Sequence, residues 1–270
     1  MKAAPFDYLC AGSAAQAVAW LGESELAKAC GGSQSLGPML NLRLAQVDRL
    51  VDLSRIEALT GFALDDDVLR IGAAVTHARI EDGELPDCTR GLLPAVAAGI
   101  AYRAVRNRGT IGGSLAHADP AADWVNTMCL LDAGIVVLGP AGERRMRASA
   151  FFVGAFTTAL APDEIIVAVE VPRFSVRARW AYRKACRKPG EFSEATGAAW
   201  IDPERGVARA MLGALGSMPH VVESADALAA LRRPGGVARA LDDAGVDDPY
   251  EREVHAVMLR RALADLEAFA

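Results

Sequence analysis

Apolar and polar positions follow two periods along this sequence, one helical and one typical of β-strands. Near the start, short apolar runs alternate with amphipathic stretches. Ser13 stands where a helix cap is expected, and Gly31-Gly32 ends an apolar run. The elements predicted there are strands at 26–30 and 50–53 and helices at 13–21 and 36–44. Together they predict a β–turn–α–β unit over the first fifty-odd residues.

The middle of the chain mixes both periods. Alternating residues flank Asp65-Asp66-Asp67, which is a hairpin signal, and an Ala-rich helical stretch is interrupted at Gly99. The elements predicted there are a hairpin at 62–72, helices at 91–106 and 120–132, and strands at 134–138, 143–146 and 164–171. A glycine-rich loop at 108–114 is predicted to follow the first of these helices.

The pattern of apolar and polar residues changes after Pro172, where strand-like alternation becomes frequent. The elements predicted there are strands at 178–185, 195–201 and 207–215, with helices from Val221 onward. We therefore predict an α+β fold with a domain boundary near residue 175. Residues 1–175 form the first domain, and residues 176–270 form a second with a small antiparallel sheet and helices.

Composition narrows the class of protein. The 270 residues include 29 Lys+Arg and 34 Asp+Glu, for a net charge of −5, and 52% are hydrophobic. These values are typical of a folded, non-fibrous protein whose length favours two lobes. The negative balance argues against nucleic acid as the partner. No apolar run is long enough for a signal peptide or a membrane span, which predicts a cytoplasmic location.

The cysteines exclude several kinds of site. Their number is odd, they are scattered, and no C-x-x-C occurs. They are Cys10, Cys30, Cys88, Cys129 and Cys186. A disulfide framework, a zinc site and an iron–sulfur cluster held by this chain alone are all disfavoured, so no metal site is predicted.

The first segment that is a candidate for ligand binding is Ala29 to Leu36. It reads ACGGSQSL and lies between a predicted strand and helix. Small residues let a backbone approach a ligand closely. Successive N–H groups beside a helix N-terminus favour an anion, and Ser33 and Ser35 add hydroxyls. A plain strand–turn–helix connection with a Ser cap explains the same residues equally well.

The second segment lies between Arg106 and Pro120. It contains three glycines, a Thr and a Ser within six residues, namely Gly109, Thr110, Gly112, Gly113 and Ser114. This composition suits a pyrophosphate, but the spacing matches neither a Walker loop nor G-x-G-x-x-G. One such loop is more often structural than functional, whereas two in one chain favour a phosphate-bearing cofactor.

A basic run extends from Arg173 to Lys188 and meets no acidic residue until Glu191. Such runs are usually solvated surfaces. The alternatives are a partner-docking surface or, for one or two members, a contact with phosphate or flavin.

The two loops resemble those of a known family, the FAD-binding medium subunits of the molybdenum hydroxylases (the xanthine dehydrogenase and carbon monoxide dehydrogenase flavoproteins). Residues 31–44 match the family's AGGQSLxPxLxxRL, and residues 105–123 repeat VRNxGTIGGNLAHADPAAD almost letter for letter. Residues 163–172 and 182–192 resemble two further family segments, so the resemblance covers essentially the whole chain. It implies a two-part FAD-binding domain of the p-cresol methylhydroxylase type, followed by a small C-terminal domain.

The resemblance also implies which residues meet FAD. Both loops would hold the diphosphate, two apolar residues would lie by the flavin, and an acid and a lysine would contact the cofactor. The implied residues are Ala29, Cys30, Gly31, Gly32, Ser33, Gln34, Ser35, Leu36, Ile100, Thr110, Ile111, Gly112, Gly113, Ser114, Asp123, Ile166 and Lys184. No catalytic side chain is implied, because the flavin carries the redox chemistry.

Two residues depart from the family pattern. Ser33 replaces the usual second glycine of the first loop, so it is strained if that position has a positive φ. Ser114 replaces the commoner Asn, which keeps a side-chain donor but shortens its reach.

The resemblance implies a place in a larger enzyme. Electrons from a molybdopterin centre in a large partner subunit would pass through [2Fe–2S] clusters of a small subunit to this FAD. From there they would reach an external acceptor, in a dimer of heterotrimers. No nicotinamide-binding motif is present, which disfavours NAD⁺. The alternatives are a stand-alone flavin oxidoreductase of the same fold and a degenerate scaffold subunit.

Overall fold

The first sheet of the structure is small and parallel. The computed structural model describes residues 2–268, and its first elements are β1 (Asp7–Cys10), α1 (Ala14–Leu21), β2 (Ala27–Cys30), α2 (Leu36–Asn41) and β3 (Arg49–Asp52). The strands are ordered β1-β3-β2, and the Ser13 hydroxyl caps α1 as predicted. The sequence prediction missed β1. The predicted helix at 36–44 stops at Asn41, because Arg43 has a left-handed φ of 59°.

A five-stranded antiparallel sheet forms the centre. Its region contains β4 (Phe62–Leu64), β5 (Val68–Gly72), α3 (His77–Glu81), α4 (Leu92–Ala98), α5 (Arg103–Arg106), α6 (Ile111–His117), α7 (Asp123–Leu131), β6 (Gly134–Gly139), β7 (Gly142–Arg147), α8 (Ala148–Phe151), β8 (Phe152–Gly154), β9 (Thr157–Thr158) and β10 (Ile165–Pro172). The order is β4-β5-β10-β6-β7, and β8 pairs with β9 separately. The predicted helix at 91–106 is two helices, separated by a connection that begins at Gly99.

The predicted loop at 108–114 was only partly right, because most of its glycines belong to the first turn of α6. Glycine has a low helix propensity, but tertiary hydrogen bonds override it here. The N–H groups of Ile111 and Gly112 donate to the Val75 and Ala73 carbonyls, at 3.0 and 2.9 Å. The helix therefore begins against the turn that follows β5 of the central sheet.

An antiparallel meander and three helices complete the chain. They are β11 (Arg179–Ala185), β12 (Ala195–Asp202), β13 (Val207–Gly213), β14 (His220–Glu223), α9 (Ala225–Arg232), α10 (Gly236–Asp243) and α11 (Pro249–Ala268). The prediction of helix from Val221 onward was wrong for β14, which pairs with β13. Within residues 2–268, no helix combines the length and apolar character needed to cross a bilayer.

The main core joins the central sheet to the meander. Trp124 of α7 and Phe151 are completely buried in it, and Trp200 of β12 belongs to the same apolar cluster. Trp200 also stacks on Phe174, with ring centroids 4.7 Å apart. A second cluster lies between the other face of the meander and α11. Residues from β11 and β12 are thereby held firmly against α7.

Candidate functional site

The two glycine-rich segments touch each other. A Cβ added at Gly32 would lie 1.7 Å from the Arg108 carbonyl oxygen, and one at Gly31 would lie 2.7 Å from Thr110 Oγ1. Side chains larger than hydrogen would therefore separate the segments. The end of β2 and the start of α6 form one continuous backbone surface, a proximity that neither segment's sequence reveals alone.

The first loop carries unused backbone donors. The N–H groups of residues 32–36 have no acceptor among residues 2–268. Ser33 turns the chain with a φ of 60°, and Ser35 occupies the N-cap position of α2 without accepting a side-chain hydrogen bond. A simple Ser cap therefore does not explain this loop. A row of free N–H groups around a left-handed residue is an anion-binding arrangement.

The second loop is built differently. The Thr110 hydroxyl accepts the Gly113 N–H at 3.1 Å and caps α6, while the N–H groups of Ile111 and Gly112 donate to carbonyls of the turn that follows β5. Most donors of this helix start are therefore already used. What remains beside the first loop is the hydroxyl proton of Thr110, together with the half-buried Ser114.

His77 supports the second loop from behind. Its own N–H donates to the Gly109 carbonyl at 2.9 Å, and Trp124 Nε1–H donates to its Nδ1 at 2.9 Å. The ring therefore carries its proton on Nε2 when neutral. Burial lowers the pKa of His77 to about 4, with a smaller contribution from the Arg106 guanidinium.

A charged cluster connects α7 to β11. Lys184 Nζ donates to Asp123 Oδ2 at 2.8 Å and to the Gly99 carbonyl at 2.8 Å, and Tyr182 donates to Asp123 Oδ1 at 2.9 Å. Burial raises the pKa of Asp123, while Lys184 and Tyr182 counteract the rise. Burial also raises the pKa of Tyr182 well above its usual value, followed by the effect of the Asp123 charge. The cluster therefore holds one buried ion pair with a neutral donor beside it.

The two apolar residues implied by the resemblance lie at different depths. Ile100 is half-buried and packs against the main core from the connection between α4 and α5. Ile166 is 4% exposed in β10, next to an irregularity of the β10–β6 pairing. There the Val167 carbonyl binds the N–H of Ala73, whose own carbonyl binds Gly112. Ile166 is thus connected to the second loop through the sheet backbone.

The remaining candidate residues have other surroundings, and one residue was missed. Cys30, which the resemblance places in the first loop, is 5% exposed, and burial raises the pKa of its thiol. Arg183 and Arg187 of the basic run pair with acidic residues of this chain. Tyr182 was missed, although its two-residue spacing from Lys184 in a strand places both side chains on one face. No three metal-ligating side chains are grouped together within the described part of the chain.

Fold and site together define an α+β protein with an anion-binding cradle, in which a strand–loop–helix with free N–H donors meets a capped helix start. A family model described as the FAD binding domain in molybdopterin dehydrogenase matches residues 4–174. The chain belongs to this family, and it is the flavoprotein subunit of a molybdopterin-dependent oxidoreductase.

Individual relatives agree over nearly the full length. The chain is 35% identical to the carbon monoxide dehydrogenase medium chain of Hydrogenophaga pseudoflava, covering 94% of this chain and 86% of that protein. It is 34% identical to the nicotine 6-hydroxylase medium subunit of Paenarthrobacter nicotinovorans, covering 94% and 91%. A solved structure of reconstituted CO dehydrogenase from Oligotropha carboxidovorans superposes with a TM-score of 0.90 at 29% identity, covering 100% of both chains. These matches establish the α+β FAD-binding fold.

The residues present fit FAD. Its diphosphate is a dianion, and the first loop offers consecutive N–H donors that have no acceptor within residues 2–268. In the Lys184–Asp123 pair, the lysine is half-buried and the aspartate is buried. Lys184 also binds the Gly99 carbonyl, in the segment that carries Ile100. The first loop thus supplies backbone donors that suit a diphosphate, and the charged pair with its apolar neighbour supplies groups that suit an aromatic ring.

Proposed function

We propose that this chain accepts electrons from [2Fe–2S] clusters of a small partner subunit and passes them to an external acceptor. In this proposal, the electrons originate at a molybdopterin centre in a large partner subunit. Bound FAD supplies the chemistry, because flavins exchange electrons singly and in pairs. The observation that carries the proposal is the row of free N–H donors at residues 32–36.

Each part of the site has one task in this proposal. The first loop, Ala29 to Leu36, binds the diphosphate through backbone N–H groups. The second, Thr110 to Ser114, closes the same cradle through the Thr110 hydroxyl. Ile100 and Ile166 give the ring an apolar neighbourhood. Lys184, with Asp123 as its counter-charge, brings a cation to the ring and favours electron density on it when reduced.

The first experiment tests cofactor binding. The purified full chain is titrated with FAD, and its iron and molybdenum contents are measured. We expect one FAD per chain and neither metal. A chain that stays colourless after reconstitution would contradict the proposal.

A matched pair of variants tests the role of Lys184. Lys184→Met removes the cation next to Asp123, whereas Lys188→Met removes an exposed lysine four residues further on. We expect the first variant to lower the flavin reduction potential or weaken FAD binding and the second to change neither. If both variants keep the wild-type potential and affinity, Lys184 is not part of the site.

Assembly is tested by co-purification. The same proposal divides the chain into an FAD domain, residues 1–175, and a C-terminal domain, residues 176–270. It also includes a dimer of heterotrimers and a cytoplasmic location. Association with a cluster-bearing small chain and a large molybdenum chain would support the proposed assembly. Recovery of the chain in the cytoplasmic fraction of lysed cells would support the proposed location. A chain that oxidises a substrate alone would support a stand-alone flavin oxidoreductase instead. A complex whose chain lacks FAD would support a scaffold.

A further inference from the structure

Three consecutive carbonyl oxygens between α4 and α5 accept hydrogen bonds from cationic side chains. Lys184 Nζ donates to the Gly99 oxygen at 2.8 Å. Arg106 Nη1 donates to the oxygens of Ile100 and Ala101, both at 2.9 Å. Loop carbonyls are more often satisfied by amides or water. Three successive ones bound by two charged groups form a clamp on this segment, which we name the 99–101 segment.

Arg106 is itself fixed in place. Its Nε and Nη2 donate to the two carboxylate oxygens of Glu81, at 2.7 and 2.9 Å. Both side chains are largely buried, at 12% and 18% exposure. The Arg106 guanidinium lowers the pKa of Glu81, so the carboxylate stays charged. A two-pronged pair of this kind fixes the plane of the guanidinium, and here that plane points Nη1 at the segment.

The 99–101 segment needs such a clamp. Ala101 has a φ of 41°, a left-handed conformation that an alanine adopts at an energetic cost. The backbone of Gly190 lies close against it, since a Cβ there would lie 3.0 Å from the Ala101 oxygen. A strained conformation persists only where its surroundings enforce it, and such places concentrate at ligand sites.

We propose that Arg106, oriented by Glu81, is a positioning residue for the cofactor. It holds the 99–101 segment so that Ile100 packs against the flavin ring and the Gly99 carbonyl fixes the Lys184 ammonium. This inference rests on the proposed function, because it requires Ile100 and Lys184 to meet the ring. Among the hydrogen bonds of residues 2–268, the Arg106 side chain donates to Glu81 and to this segment and to no residue of the diphosphate loops, so we expect its loss to act mainly at the ring end of the cofactor.

The same helix offers a matched control. Arg103 also pairs with Glu81, at 2.7 Å, and with Asp82, at 2.6 Å. It is 46% exposed, and among the hydrogen bonds of residues 2–268 it donates to no carbonyl of the 99–101 segment. Removing Arg103 therefore deletes an equal charge from the same network without opening the clamp.

The experiment compares Arg106→Leu with Arg103→Leu in the full chain. FAD affinity is measured by fluorescence, and ADP is used as a competitor to report the diphosphate end alone. Visible-region circular dichroism of bound FAD reports the ring environment, and hydrogen exchange of the 99–101 amides reports the clamp. We expect Arg106→Leu to weaken FAD about tenfold, as for the loss of a charge-assisted contact, to leave ADP within about twofold, and to raise exchange in the segment.

Further variants keep the test decisive if Arg106→Leu does not fold. Arg106→Lys and Glu81→Gln preserve size and polarity but lose the two-pronged pair, and they should show the same FAD-specific weakening to a smaller degree. Equal FAD affinity and dichroism in the Arg106 and Arg103 variants would overturn the inference. Equal losses of FAD and ADP affinity would also overturn it, because they would indicate a general structural effect. A wild-type chain that binds no FAD would instead contradict the proposed function.

Discussion

The two glycine-rich segments look alike in sequence but differ in construction. In the first, Ser33 supplies the left-handed turn and the N–H donors stay free. In the second, the Thr110 cap and carbonyls of the turn after β5 use most of the donors. The glycines that bring the segments together, Gly31 and Gly32, do not have a positive φ. Glycine serves here for close approach of two backbones, and the strained conformation falls on a serine.

The largest expected effect comes from separating the two segments. Gly32→Ala would place a methyl group 1.7 Å from the Arg108 carbonyl oxygen, a backbone atom that cannot move alone. We expect a loss of about 3 kcal/mol or more in the free energy of unfolding, as for severe overpacking, together with loss of FAD binding. Chemical denaturation and FAD titration measure both.

Gly61→Ala is the control, because an added Cβ there meets nothing within 4 Å. It should keep wild-type FAD affinity. If Gly32→Ala binds FAD as Gly61→Ala does, the contact between the segments is not needed for the site, and the comparison between them loses its basis.

The sequence predicted the helices and strands with strong periodicity and missed elements decided by tertiary contacts. β1 is short and begins with two exposed residues, Asp7 and Tyr8, so its pattern is weak. β14 has only two apolar residues, and its pairing with β13 defines it. The first turn of α6 is glycine-rich, and carbonyls of distant residues 73 and 75 stabilise it. Such partners cannot be identified from local sequence.

The candidate site was predictable to a similar extent. The sequence motifs predicted both loops, and these lie against each other. They also predicted Asp123 and Lys184, which pair where α7 contacts β11. The sequence did not predict that the first loop holds the free donors, because the donors of the second are used by carbonyls of distant residues 73 and 75. It also gave no sign of the clamp around Ile100, whose partners Arg106 and Glu81 are 25 residues apart.

An intermediate effect on the free energy of unfolding is expected at acidic pH, through His77, which supports the second loop. The pKa of His77 is lowered from 6.5 to about 4, so the unfolded chain takes up a proton that the native protein does not. The stabilising contribution is therefore complete above the unfolded pKa and is lost as pH falls through the window between the two values. We expect a loss of about 2 kcal/mol between about pH 7 and pH 5.

The measurement is the pH dependence of urea denaturation for wild type and His77→Gln, which keeps an acceptor for Trp124. The variant should lack this part of the dependence. His220→Gln, on β14 of the meander, is the control and should follow wild type. Parallel curves for wild type and His77→Gln would show that His77 does not carry the acid sensitivity of this region.

The smallest effect is expected at the residue that distinguishes the first loop. Ser33→Gly removes a Cβ from a left-handed position, which should stabilise the protein by about 1 kcal/mol or less, since glycine's greater freedom in the unfolded chain offsets part of the gain. FAD affinity should stay equal or rise, because the N–H groups of residues 32–36 remain in place.

Ser35→Gly, at the neighbouring N-cap without a side-chain bond, tests for a general glycine effect. A large loss of FAD affinity in Ser33→Gly alone would show that the Ser33 hydroxyl binds the cofactor. The first loop would then recognise the diphosphate through a side chain as well as its backbone, which would reduce its difference from the second loop.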